Sequence, residues 1–136
     1  MISITQKTLQ DLEFNTVLET IASRCNTDIG EAKAMAIIPF KNKEELLINL
    51  KQTSEYLSSF SNNNAIPNHG FENINYELKF LAIEDSFLEV GSFKKIGNLS
   101  ETAITLIQFL KKFEEYYPNL YQKAAQIDIV KLILQR

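Results

Sequence analysis

Residues 7–22, KTLQDLEFNTVLETIA, decide how the rest of the chain is read. Every residue type in the run tolerates a helix, yet the apolar positions do not share one face. At about 100° per residue, Phe14, Val17, Leu18, Ile21 and Cys25 fall within one stripe, while Leu9 and Leu12 point well away from it. One straight amphipathic helix cannot produce both phases. A short turn over residues 5–12 followed by a longer helix starting near Glu13 or Asn15 can, and Asn15 is a residue type able to cap such a start. Leu9 and Leu12 would then either close over the end of the core or face a second element.

The rest of the chain supports an all-α fold. In residues 26–40, NTDIGEAKAMAIIPF, Thr27 or Asp28 can cap, and Asp28 with Glu31 has capping-box spacing. Pro39 pushes Ile38 toward an extended conformation and ends that helix of small residues. Residues 42–60 open with Asn42 and Glu45 at the same spacing, then place Leu46, Leu47, Leu50, Thr53, Leu57 and Phe60 on one stripe. SNNNAIPNHG, residues 61–70, is the clearest loop, because Asn, Gly and Pro favour turns and no apolar period runs through it. A short helix with Ile74, Leu78 and Leu81 follows. From about 90 to 117 the pattern predicts one long helix, with Phe93, Ile96, Leu99, Ser100, Ala103, Ile107 and Leu110 facing one way and Pro118 as the stop. Its length would be on the order of 40 Å, the dimension of a strut. Gly91 and Gly97 weaken it, which points to a true start or a tight helix contact at one of them. Helices over 119–136 would complete the chain, the last capped by Asp128. No segment alternates with period two, so no sheet of consequence is expected.

Composition narrows the function classes. With 136 residues the chain has the length of one ordinary helical domain, and 45% hydrophobic with 23% charged residues is the mixture of a folded protein. Fourteen Lys and Arg against seventeen Asp and Glu give a formal net charge of -3, which supplies no overall attraction for a phosphate backbone. Arg24 and Arg136 are the only arginines, and arginine makes the forked contacts to phosphate and guanine. Cys25 is the single cysteine, which excludes an internal disulfide and a thiolate zinc cluster and suggests the cytoplasm. MISITQKTLQ lacks an apolar signal core, and no run reaches the length of a membrane span.

No catalytic, cofactor-binding or metal-ligating residues emerge. His69 is the only histidine and sits in the loop, as an exposed loop side chain without metal-ligand neighbours. Gly30, Gly70, Gly91 and Gly97 form neither GxxxxGK[ST] nor GxGxxG, so no nucleotide site is expected here. Cys25 lies on an apolar stripe and reads as a packed thiol. Glu84, Asp85 and Glu89 gather where negative charge suits the start of the long helix. Lys94 and Lys95, with Lys111 and Lys112, are the candidate nucleic-acid contacts; Lys41 and Lys43 form a third cluster. A solvated helix face interrupted by Glu101, Glu114 and Glu115 is the competing reading. Tyr116, Tyr117 and Tyr121 beside Pro118 read as closing a helix end rather than stacking on bases. Ile127, Ile129, Val130, Leu132, Ile133 and Leu134 are too apolar for a free tail and ask for a partner surface.

The same opening stretch, residues 7–22, resembles the K-T-L-x-x-L-E-F-x-x-[IV]-L-x-x-[IL]-A start of the second MutS subfamily, the MutS-related ATPases that lack the amino-terminal mismatch-recognition domain. The similarity continues through DIGEAKAMAIIPF and EELLINLKQTSEYL, where that family carries a small-residue helix, a proline and an acidic helix. Residues 69–113 look like its short I-x-x-x-L-x-x-A helix followed by its long lever helix. One departure is local: Glu89 and Val90 stand where the family often has Ser or Asp and then Pro.

The resemblance implies a fragment, the first part of the helical core and lever region of a larger MutS-like protein. It implies a longer protein that uses ATP and Mg at sites beyond Arg136, acts on DNA or in some members on ribosomal RNA, and works as a homodimer away from membranes. In that setting this segment has no catalysis of its own and couples the ATPase state to nucleic-acid binding. A free-standing helical domain that binds a protein partner is the alternative, and direct binding of nucleic acid through the lysine pairs is a third.

Overall fold

The computed structural model describes residues 4–127, and within them the chain is all-helical. Seven α-helices follow in order: α1 Gln6–Asp11, α2 Phe14–Ala22, α3 Asp28–Met35, α4 Lys43–Ser59, α5 Asn75–Leu81, α6 Val90–Lys112 and α7 Pro118–Ala124. The expected cap at Asp128 and the apolar run 129–134 lie outside the described residues.

The chain divides into two compact units. One comprises residues 1–41 and Gly70–Ile96, and the other comprises Asn42–His69 and residues 97–136. The chain crosses between them three times: between Lys41 and Asn42 just before α4, between His69 and Gly70, and inside α6 between Ile96 and Gly97.

In the first unit, α1 is capped by Thr5, whose side-chain oxygen accepts from the Thr8 N–H at 3.2 Å. The phase break follows at once. Glu13 adopts the left-handed conformation, φ 51° and ψ 37°, and α2 starts at Phe14 with the Glu13 carbonyl accepting from Val17 N–H. This corrects the cap expected at Asn15: a left-handed backbone residue turns the chain between two short helices, and no side chain caps α2. The stripe narrows to its inner edge, with Leu18 and Ala22 buried and Val17 and Ile21 about half exposed. Leu9 is half-buried, whereas Leu12 is 67% exposed and closes over nothing among the described residues.

Helix α3 packs on α2, with Leu18 and Ala22 of α2 and Ala34 of α3 buried. Thr27 caps α3 by accepting from Gly30 N–H at 3.0 Å. A Cβ placed on Gly30 would lie 3.0 Å from the Thr27 hydroxyl oxygen and 3.4 Å from the Cys25 Cβ. Cys25 is half-buried there, its Sγ 3.5 Å from the Ile21 carbonyl oxygen. A Cβ on Gly91 or Gly97 would meet nothing within 4 Å, so of the two alternatives the structure shows the helix start: Gly91 sits in the first turn of α6.

In the second unit, α4 starts at its expected cap, the Asn42 side chain accepting from Glu44 N–H at 2.8 Å. Its inward side is the polar one. Ser59 is buried and Gln52, Glu55 and Tyr56 are half-buried, whereas Leu50, Leu57 and Phe60 of the apolar stripe are 54%, 61% and 72% exposed. The reason is the neighbour: α4 packs on the start of α7, whose unsatisfied N–H groups need acceptors.

Helix α6 ends at Lys112, five residues before the expected end at 117. Lys111 and Lys112 in its last turn suit the negative helix end, and the following Glu114 and Glu115 oppose it. Residues 113–116 form a turn, with Tyr116 N–H bonded to the Phe113 carbonyl at 3.0 Å. Pro118 then starts a helix: it is the first residue of α7, where its missing N–H is no loss. Leu110, Tyr117 and Ala124 form the buried core of this unit, with Ile66, Ile107, Phe109, Phe113, Leu120 and Tyr121 packed around them.

Candidate functional site

The four candidate lysines are placed in two settings. Lys94 and Lys95 belong to the first unit, and Lys111 and Lys112 to the second. Lys94 is exposed and makes no ion pair among the described residues. Lys95 is held: its Nζ lies 3.1 Å from Glu72 Oε2 and 3.8 Å from Glu77 Oε1. The hydrogen bond and charge of Glu72, then the charge of Glu77, raise its pKa above the ordinary lysine value. The acidic partners come from the segment before α5 and from α5 itself, not from Glu101 on the same helix.

Glu77 is the less ordinary member. It is 4% exposed, and its Oε2 has no hydrogen-bond partner. A shielded carboxylate in that state depends on a nearby cation, so Lys95 serves the fold whatever else it does. Lys111 and Lys112 are exposed, and Lys112 Nζ stands 5.3 Å from the centre of the Phe113 ring, a cation–π distance. Lys111 and Lys112 also complement the helix end. The four side chains therefore differ in availability: Lys94, Lys111 and Lys112 are open to solvent, and Lys95 is engaged.

His69 is not the exposed loop side chain expected. It is half-buried, with Nδ1 3.0 Å from the Pro67 carbonyl oxygen and Nε2 3.4 Å from the Tyr56 hydroxyl. A carbonyl only accepts, so Nδ1 carries hydrogen and donates to it, and Nε2 shares a hydrogen bond with the Tyr56 hydroxyl. The ring also meets Tyr56 edge-on at 5.7 Å. Tyr117 is wholly buried and its hydroxyl donates to the Asn64 carbonyl, whereas Tyr116 is 56% exposed. Among the described residues no group of His, Cys, Asp or Glu is arranged to hold a metal ion, and no helix is long and apolar enough to cross a membrane.

Sequence reasoning missed Glu55. From α4 its Oε1 accepts from both the backbone and the side-chain amide of Asn119, and its Oε2 accepts from Leu120 N–H at 2.9 Å. One carboxylate thus caps α7 from another helix, where charge and free N–H groups coincide. Spacing could not reveal it, since the partners are 64 and 65 residues apart.

Comparison with known proteins adds what geometry does not. Over 130 residues the chain is 26% identical to the endonuclease MutS2 of Alkaliphilus oremlandii (strain OhILAs), covering 94% of this chain and 16% of that protein. The similarity is to MutS2. The MutS2 of Clostridium beijerinckii gives the same identity and coverage, and that of Pelotomaculum thermopropionicum is 25% identical over 122 residues. The chain thus spans about one sixth of the length of the MutS2 relatives it matches. No protein-family profile and no solved structure matches it.

Proposed function

We propose that this chain is a core and lever module of a MutS-type, DNA-acting ATPase, coupling the ATPase state to nucleic-acid binding in repair or control of recombination. The observation that carries the reading is the pattern of similarity: it takes in 94% of this chain but 16% of the MutS2 relative. A segment matched throughout yet short against its relatives is what one module of a larger machine gives. Helix α6, at 23 residues, suits a transmitting element, and its apolar positions from Ile96 to Leu110 are half-buried or buried.

In this reading ATP and Mg are bound by chain beyond Arg136, and DNA is gripped by other parts of the same protein acting as a homodimer. Direct contact of this segment with nucleic acid, through Lys94 in the first unit or Lys111 and Lys112 in the second, is the competing reading; ribosomal RNA is the alternative target. The exposed apolar ridge of α4 favours a second reading, a free-standing helical domain that docks on a protein.

The test begins with the reading frame. Continuation past Arg136 into an ATPase is the expected result, and a stop codon there would overturn the module. In the longer protein, Ile96→Asn with Ile107→Asn is expected to uncouple DNA affinity from ATP. Intact coupling in a folded variant would remove the lever role.

A further inference from the structure

In the first unit, α5, the start of α6 and the connection between them enclose a groove of about 580 Å3. Tyr76 and Phe80 of α5 form one wall, their rings stacked 5.7 Å apart, and Ile83, Phe87 and Leu88 continue the apolar lining. The connection is ordered by its own bonds. The Ser86 hydroxyl donates to the Phe80 carbonyl at 2.6 Å, and Asp85 turns the chain with φ 60°.

The groove leaves its apolar lining uncovered. Phe87 is 82%, Tyr76 67% and Ile83 58% exposed, and Val90, next to the lining residue Glu89, is 87% exposed. Large apolar side chains gathered this way on a surface mark an interaction site more often than chance exposure. Its charge has one sign. Glu84, Asp85 and Glu89 line it, with no lysine or arginine among the lining residues. The N-terminus of α6 contributes about half a positive charge, too little to offset three carboxylates. They form no metal-holding group.

We propose that this groove docks a short amphipathic helix of a partner polypeptide, one that carries lysine or arginine beside its apolar side chains. The aromatic wall takes the apolar side chains, and Glu84, Asp85 and Glu89 pair with the cations at the rim, which sets orientation and association rate. Nucleic acid is repelled by the same carboxylates, so this face is separate from any contact through Lys94.

A fluorescein-labelled leucine–lysine helical peptide, titrated into the 136-residue chain by anisotropy, tests the proposal; the control peptide has glutamate at every lysine position. Binding of the lysine peptide is expected, with the glutamate peptide at least about tenfold weaker. Glu84→Lys with Glu89→Lys is expected to reverse that preference, and Phe87→Ser to weaken binding, while Leu50→Ser with Leu57→Ser on α4 leaves it unchanged. Circular dichroism checks that each variant folds, and the exposed Glu84→Gln with Glu89→Gln pair gives a second, milder loss. Equal binding of both peptides, indifference to the charge reversal, loss through the α4 variant, or self-association of the chain abolished by Phe87→Ser would each overturn it.

Discussion

A carboxylate as shielded from water as that of Glu77 needs a counter-charge, and Lys95 on α6 provides it at 3.8 Å. Lys95→Met leaves that carboxylate uncompensated and is expected to lower the urea unfolding midpoint, since an orphaned buried charge loses more than the pair was worth. Combining it with Glu77→Met should recover most of the loss, and a double-mutant cycle in urea checks both. The pH dependence has a definite sign. Because the lysine pKa is raised, the contribution is complete below the ordinary lysine pKa and is lost as pH rises through the raised value. The Lys95→Met penalty should therefore not change from about pH 7 to about pH 9. Glu13 makes a complementary case. Its left-handed conformation costs a non-glycine residue roughly 1 kcal/mol, so Glu13→Gly is expected to raise the unfolding midpoint. A fall would mean that the Glu13 side chain contributes more than the strain.

At the scale of elements, Glu55 is the residue on which α7 depends. Removing it exposes two backbone N–H groups and a side-chain amide at once, and Glu55→Ala is expected to destabilise the unit by about 2 kcal/mol. Lys51→Ala on the exposed part of the same helix should change little, and equal effects in chemical denaturation would contradict the cap. Gly30→Ala tests the α3 cap: the new methyl presses on the Thr27 hydroxyl, and the weakened cap is expected to cancel the roughly 1 kcal/mol that alanine otherwise gains in a helix, so that the urea midpoint does not rise.

These elements also show what was legible beforehand. Local signals were readable: Asn42 starts α4, Thr27, one of two candidate caps, caps α3, and the phase change in residues 7–22 placed a break near Glu13 or Asn15, which falls at Glu13. Partner choice was not. The stripe of α4 predicts a core face that is exposed instead, because periodicity reports which residues are apolar and not whether anything covers them. The ends of α6 and the role of Pro118 followed the same logic, since a proline reads equally as a stop or as a first residue. Of the candidate lysines, Lys95 changed meaning because Glu72 and Glu77 lie about twenty residues away in sequence, beyond any helical spacing.

For the whole molecule, the proposal is mechanical: helices that carry no catalytic group of their own pass an ATPase state to parts that hold nucleic acid. Exposed apolar side chains on α4 and around the α5–α6 groove fit a segment that works against other polypeptide. The net charge of -3 gives the isolated chain no general pull on phosphate. The measurement that tests this most directly is a gel-shift titration of the longer protein and of the 136-residue chain against branched DNA, duplex DNA and ribosomal RNA, with and without ATP, at two salt concentrations. Binding by the longer protein alone, modulated by ATP, is the expected result. Salt-sensitive binding by the isolated chain, with no ATP dependence in the longer protein, would contradict the coupling role and point to Lys94, or to Lys111 and Lys112, as nucleic-acid contacts.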